Sequence, residues 1–185
     1  CDDTGVLLIF DEIQTGMGRT GKLFAYEHFG IEPDVMTLAK ALANGLPIGA
    51  MLAKEEIAAA FNAGSHASTF GGTPIVTSVA TRVCRMLFDE GIVENAGAMG
   101  QYFKDRLLDL KARHAVVEDV RGIGLLLGIK LNIEGAPLVN ACMQRGFLIN
   151  CIQDNILRFV PPLIITPEEI DRLLECLDEV LAQAK

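Results

Sequence analysis

Asp11 and Glu12 stand directly after the apolar run Val6 to Phe10, so two carboxylates sit where a buried strand would end. In an open α/β sheet that end is where ligands bind; taken alone, the pair is equally a solvated acidic turn. Lys40 lies in Thr37-Leu-Ala-Lys40-Ala-Leu-Ala-Asn-Gly45, with small or apolar neighbours and no acid near it in sequence. Most lysines are surface residues. One drawn out of water, however, has its amine pKa lowered and becomes a nucleophile toward carbonyl carbon. Ser68-Thr69-Phe70-Gly71-Gly72 places two hydroxyls beside flexible backbone amides. That combination suits a phosphate, and it suits a plain surface loop as well.

Between the acids and the lysine, Gly16-Met-Gly18-Arg-Thr-Gly21 spells G-x-G-x-x-G, and Asp34 follows near where a ribose-binding acid would stand. Physical context argues against a dinucleotide. The motif needs its first glycine at the strand end, so that a helix N-terminus meets the pyrophosphate. Here Asp-Glu-Ile-Gln-Thr intervenes, and Asp34 precedes an apolar run instead of closing one. Gly122-x-Gly124-x-x-x-Gly128 is weaker still, since it runs into the apolar stretch Leu125 to Leu131.

The elements that must position these residues follow from patterning. Val6 to Phe10 reads as a buried, parallel strand. Leu23 to Phe29 forms a short helix closed by Gly30, and a second strand runs from Pro33-Asp34 through Thr37. After the small-residue turn Ala39 to Gly45, Pro47 to Ala53 returns as a strand and Lys54 to Phe61 is helical. A glycine-rich loop, Gly64 to Pro74, leads into a long helix to about Asp89, with Pro74 in its first turn. Beyond Gly91, Ile92 to Arg113 is helical. Val116 to Val120 and Leu125 to Leu131 are strands joined by Arg121-Gly-Ile-Gly. Ala136 to Gln144 is a helix ended by Gly146, and Phe147 to Cys151 and Ile156 to Val160 are short strands. Thr166-Pro167-Glu168-Glu169 caps the last helix. The expected organisation is α/β: the end of a larger domain over residues 1–91, then a smaller α+β domain over 92–185.

Composition narrows the partners. The 185 residues are half hydrophobic and carry a net charge of −8, with no basic patch, which disfavours nucleic acid and anionic membrane. The apolar stretches are far short of a membrane span and no leader opens the chain. Five cysteines without C-x-x-C spacing are expected to be reduced, mostly buried thiols of a cytoplasmic protein. Three scattered histidines offer no metal cluster. The chain opens on Cys1 and enters an all-apolar strand within five residues. Such a strand wants neighbours on both edges and helices on both faces, so the sequence is expected to be the C-terminal portion of a longer protein.

Lysine, carboxylate and phosphate donors together are what pyridoxal phosphate needs: an amine for its aldehyde, an acid for its ring nitrogen, and donors for its phosphate. At this point a family resemblance is plain. "LIFDEIQTGMGRTGKLFAYEHFGIEPDVMTLAKALANGLPIGA", followed by "HASTFGGTP", "VRGIGLLLGI" and "LRFVPPLIIT", closely resembles class III aminotransferases of the acetylornithine/ornithine type. The resemblance implies the C-terminal part of the fold-type I (aspartate aminotransferase-like) major domain followed by the small C-terminal domain. It further implies pyridoxal 5'-phosphate as cofactor and, in the intact protein, transfer of an amino group from N2-acetylornithine to 2-oxoglutarate in arginine biosynthesis. Ornithine, succinylornithine and 4-aminobutyrate are alternative donors. An aminomutase, or a non-catalytic fragment binding no cofactor, is a rival.

By the same resemblance Asp11 would hold the ring nitrogen protonated, Gln14 would bond the ring oxygen, and Lys40 would join the aldehyde through its amine and then shuttle a proton. Ser68 and Thr69 would reach the phosphate in the neighbouring subunit of a homodimer. Arg158 would grip the substrate α-carboxylate. Two departures fall on the phosphate loop, where relatives often read His-Gly-Ser-Thr and Gly-Gly-Asn-Pro; here the residues are His66-Ala-Ser-Thr69 and Gly72-Thr-Pro74. The family's other phosphate turn, its ring-stacking aromatic and a second substrate arginine belong to an N-terminal half that this sequence does not contain, so the chain alone is expected to be inactive.

Overall fold

Parallel pairing of two short apolar segments organises the first part of the chain. In the computed structural model, which describes residues 1–184, β1 (Ile9–Asp11) pairs in parallel with β2 (Val35–Leu38). β2 pairs antiparallel with β3 (Ala50–Ala53), giving the order β1-β2-β3. Residues Cys1–Val93 form one unit and Glu94–Lys185 a second.

The first strand departs from expectation. It begins at Ile9, not Val6, and ends on Asp11; Val6, Leu7 and Ile9 are 61%, 52% and 60% exposed. A parallel strand is buried only when both its faces are covered, and β1 is an edge strand of this sheet. Burial falls on the central strand instead, where Val35, Met36 and Leu38 are inside. β3 starts three residues after Pro47, which has no N–H to give a ladder. The expected helix over Leu23 to Phe29 is a single 3-10 turn, Ala25–His28, and that over Lys54 to Phe61 is the one-turn α1 (Glu55–Ala58). Runs this short bury no side chain fully, so nothing extends them. α2 (Pro74–Asp89) begins on its proline, as the sequence requires.

The second unit wraps helices against one four-stranded antiparallel sheet. α3 (Ile92–Arg113) leads into the hairpin β4 (Val117–Ile123) and β5 (Leu126–Leu131). α4 (Ala136–Gln144), β6 (Asn150–Ile152), β7 (Ile156–Phe159) and α5 (Pro167–Gln183) follow, and the strand order is β4-β5-β7-β6. Residues Arg121 to Ile123, expected as a linker, belong to β4. Ile123 pairs with Leu126, so the turn is only Gly124-Leu125. Glycine permits this at two positions. Gly122 has φ +127°, and a Cβ there would lie 2.1 Å from the Leu126 carbonyl oxygen. A Cβ on Gly100 of α3 would fall 2.3 Å from the carbonyl carbon of Gly124, so helix and turn meet backbone to backbone.

Heptad-like spacing builds the core. Phe103, Leu107 and Leu110 on α3, and Ile170, Leu174 and Leu177 on α5, share one face of each helix and are buried in one cluster with β5 and β7. Thr166 starts α5 with a reciprocal cap: its hydroxyl accepts the Glu169 N–H at 3.4 Å, and Glu169 Oε2 accepts the Thr166 N–H at 2.9 Å. All five cysteines are free thiols, but only Cys142 and Cys176 are buried; Cys84 and Cys151 are half-buried and Cys1 is exposed. Burial pushes the Cys142 thiol up to about 12. No described helix is long and apolar enough to cross a membrane.

Candidate active site

The sheet of the first unit brings an acid and an amine to the same end. Asp11 is the last residue of β1 and stands in register with Thr37 of β2. The ladder runs one residue further, the Glu12 N–H reaching the Thr37 carbonyl at 3.0 Å. Lys40 follows two residues after the end of β2. Parallel strands share their carboxyl end, so Asp11 and Lys40 leave the sheet at the same end, the one at which open α/β sheets generally bind ligands.

The acid pair divides its duties. Glu12 is buried, at 3% exposure. One of its oxygens accepts the Tyr26 N–H at 2.9 Å and the other accepts the Thr15 hydroxyl. Asp11 remains exposed, with Oδ1 accepting the Ile13 N–H at 3.0 Å, which fixes the orientation of its carboxylate. Glu12 therefore shapes the turn, and Asp11 is the carboxylate of the pair left exposed.

The glycine motif completes that turn and holds no helix N-terminus. The Gly16 N–H bonds the Glu12 carbonyl at 2.9 Å, and a Cβ on Gly16 would lie 2.8 Å from the same oxygen. Gly18, at φ +85°, bonds through its N–H to the Leu23 carbonyl, and Gly21, at φ +84°, to the Gly18 carbonyl. Gln14 and Arg19 ride on this loop, both half-buried, and burial pushes the Arg19 guanidinium below its ordinary range. Asp34 lies at the opposite end of β2 from Lys40. Its Oδ2 accepts the Leu8 N–H and its Oδ1 the Lys54 ammonium, each at 2.8 Å, tying the three strands together. Lys54 first, then the Leu8 amide, hold its carboxyl below the usual carboxylate range. Asp34 is a structural clamp.

Lys40 carries two features that its sequence neighbours do not announce. Its backbone is left-handed, at φ +44°, a conformation that disfavours residues with a Cβ by about 1–2 kcal/mol. It opens a 3-10 turn, Lys40–Ala43, anchored by the buried Leu42 and Ala43 and packed against α2. Met17, Asn44, Gln153 and Asp154 share this left-handed conformation, and of the five Lys40 alone carries an amine. Lys40 is also exposed, so the desolvation expected of a nucleophilic lysine is not provided by the described residues.

Ser68 and Thr69 lie on the exposed loop before α2. The Ser68 hydroxyl accepts the Gly71 N–H at 3.0 Å. Among the described residues neither hydroxyl bonds Asp11, Gln14 or Lys40. Arg158 sits in the second unit, on β7 between β5 and β6. Its neighbours Leu157 and Phe159 turn into the core, while its buried Nε has no hydrogen-bond partner among the described residues. A buried guanidinium N–H left unpaired is costly, and an incoming carboxylate would satisfy it. The family resemblance picks out the arginine but cannot show that this donor is without a partner among the described residues.

Residues 1–181 match the family Aminotransferase class-III. Acetylornithine aminotransferase of Methanocaldococcus jannaschii is 47% identical over 189 aligned positions, covering 100% of this chain and 46% of the relative. The enzyme of the same name from Caldanaerobacter subterraneus is 48% identical, covering 100% of this chain and 47% of the relative. Among solved structures, acetylornithine aminotransferase from Elizabethkingia anophelis superposes with a TM-score of 0.93 at 34% identity, covering 100% of this chain and 47% of that one. The chain thus spans about half the length of the curated relatives it matches.

Proposed function

Because this chain belongs to the class III aminotransferase family, we propose that the intact protein is a pyridoxal-phosphate-dependent transaminase that moves an amino group from N2-acetylornithine to 2-oxoglutarate. The observation that carries the reading is the shared exit of Asp11 and Lys40 from adjacent parallel strands. The donor name rests on relatives 47% and 48% identical, both called acetylornithine aminotransferase.

The residues present suit the cofactor chemically: an exposed amine on a conformationally fixed turn, and an exposed carboxylate oriented by a backbone N–H. When bound, pyridoxal phosphate supplies an aldehyde that condenses with amines and a protonated ring that withdraws electrons from the substrate carbon. Lys40 offers Nζ for attachment and afterwards accepts the proton leaving the substrate Cα. Asp11 keeps a proton on the ring nitrogen through a charge-assisted hydrogen bond. Gln14 donates its amide N–H to the ring oxygen. Arg158 grips the substrate α-carboxylate through a planar fork that lysine cannot reproduce. The Ser68 and Thr69 hydroxyls would hydrogen-bond the phosphate held by a second copy, so the reading includes a homodimer.

In this reading Cys1–Val93 is part of the cofactor-binding domain and the second unit is the small domain. A cytoplasmic location belongs to the same reading. The function is tested by following glutamate formation from 2-oxoglutarate in the intact, cofactor-loaded protein. Acetylornithine is expected to be the fastest donor, ahead of ornithine, succinylornithine and 4-aminobutyrate. Formation of no glutamate from any of them contradicts the assignment; a faster rival donor corrects its substrate.

A further inference from the structure

We propose that Glu12 is a positioning residue for Asp11, its buried carboxylate locking the turn whose Ile13 amide orients the Asp11 carboxylate; the inference rests on the transaminase reading of Asp11 given above. The contacts carry it. Asp11 is exposed, and its Oδ1 accepts the Ile13 N–H at 3.0 Å. Ile13 lies inside the turn that the Gly16 N–H closes on the Glu12 carbonyl at 2.9 Å. The Glu12 side chain crosses that turn to the Thr15 hydroxyl and leaves it to meet the Tyr26 N–H, fourteen residues on, at 2.9 Å. Its backbone N–H bonds the Thr37 carbonyl of β2 at 3.0 Å. One residue thus joins strand, turn and 3-10 segment, beside the amide that orients Asp11.

The anchors are themselves held. Tyr26 is the second residue of the 3-10 turn Ala25–His28, where an N–H finds no partner within the turn. That turn is tied back to the loop a second time, since His28 Nε2 lies 3.1 Å from both the carbonyl and the hydroxyl oxygen of Thr20. A Cβ on Gly16 would stand 3.1 Å from Leu38 Cδ2, so the locked turn rests on the last residue of β2, two before Lys40. Burying a carboxylate is costly unless hydrogen bonds satisfy it. Glu12, at 3% exposure, has a backbone amide and a neutral hydroxyl. Neither of these partners is a cation, so the position calls for two hydrogen bonds at the reach of a glutamate side chain, and not for charge. Glutamine supplies both, its carbonyl accepting the Tyr26 N–H and its amide donating to the Thr15 oxygen. Aspartate, one methylene shorter, cannot span them.

The test uses the intact protein. Pyridoxal phosphate is titrated into the cofactor-free form and followed by absorbance, and each cofactor-free variant is melted. Glu12→Ala and Glu12→Asp are expected to weaken cofactor affinity about tenfold, while Glu12→Gln stays within about threefold of the parent. The deciding comparison repeats Glu12→Ala in an Asp11→Ala background. There its effect on affinity is expected to shrink to within about twofold, because the group being positioned is gone. Lower melting temperatures with unchanged cofactor affinity would mean a structural role alone and overturn the inference. So would a full tenfold loss in both backgrounds, or a Glu12→Gln variant as weak as Glu12→Ala. Should Glu12→Ala not fold, Thr15→Val takes its place, with an expected loss of about threefold that vanishes in the Asp11→Ala background. If Asp11→Ala itself binds the cofactor as the parent does, the role of Asp11 fails, and with it the reading on which the inference rests.

Discussion

The two units spend their apolar residues differently. In the second, an eighteen-residue cluster is buried between helices and an antiparallel sheet, with Phe103, Leu107, Ile129 and Leu177 wholly inside. In the first, the sheet has three short strands, and Val6, Leu7, Ile9, Met51 and Leu52 are largely exposed. Yet the first unit holds the exposed acid Asp11 and the positive-φ Lys40. The large buried cluster lies in the second unit, whereas Asp11 and Lys40 lie in the first and Arg158 in the second, so substitutions can separate packing from the proposed chemistry.

The sharpest contrast is in the cores. Phe103→Ala removes a fully buried ring that lies 5.2 Å from the ring of Phe159, and the expected loss is about 3–5 kcal/mol. Ile9→Ala, at a side chain 60% exposed, is expected to stay within about 0.5 kcal/mol. Denaturant unfolding of the 185-residue chain measures both. Equal losses would erase the distinction between the units.

Asp11→Asn attacks chemistry without stability. Because Asp11 is exposed and Glu12 holds the turn, the melting temperature should not move. Loss of a charged hydrogen bond costs about 1.5–3 kcal/mol in cofactor affinity, and the loss in transition-state stabilisation should be larger. Turnover of the intact protein near the parent value would remove Asp11 from its role.

Thr166→Ala deletes the cap of α5, with an expected loss of about 1 kcal/mol to the second unit. This cap also shows what was legible. Threonine, Pro167 and two acids in the first turn are local signals, and local signals placed α3 and α4 over the same bounds as those observed. What failed needed distant information. The length and burial of β1 depend on what covers it, not on its own apolar run. The Gly124-Leu125 turn depends on strand register and on the approach of Gly100 from α3. At the site, residue types and spacing single out Asp11 and Lys40 as candidates, and Arg158 is a candidate only through the family resemblance. The left-handed backbone of Lys40, and an Arg158 Nε without a partner among the described residues, appear only in three dimensions.

The smallest expected effect is at the Asp34–Lys54 clamp. The carboxyl of Asp34 is depressed in the fold and the ammonium of Lys54 raised. The contribution of Asp34 is therefore present above the ordinary carboxylate range and lost as pH falls through its depressed value. That of Lys54 is present below the ordinary lysine range and lost as pH rises through its raised value. Asp34→Asn should flatten the acid limb of the stability–pH profile of the first unit and leave that of the second unchanged. An unaltered acid limb would show that the clamp does not contribute.

Reductive trapping tests the central claim most directly, that Lys40 is the amine placed to hold the cofactor. Intact protein is incubated with pyridoxal phosphate, reduced with borohydride and mapped by peptide mass spectrometry. The pyridoxyl label is expected on the peptide containing Lys40, and Lys40→Ala is expected to abolish it without lowering the melting temperature of the cofactor-free protein. A label on Lys22 or Lys54, or one that survives in Lys40→Ala, would contradict the assignment.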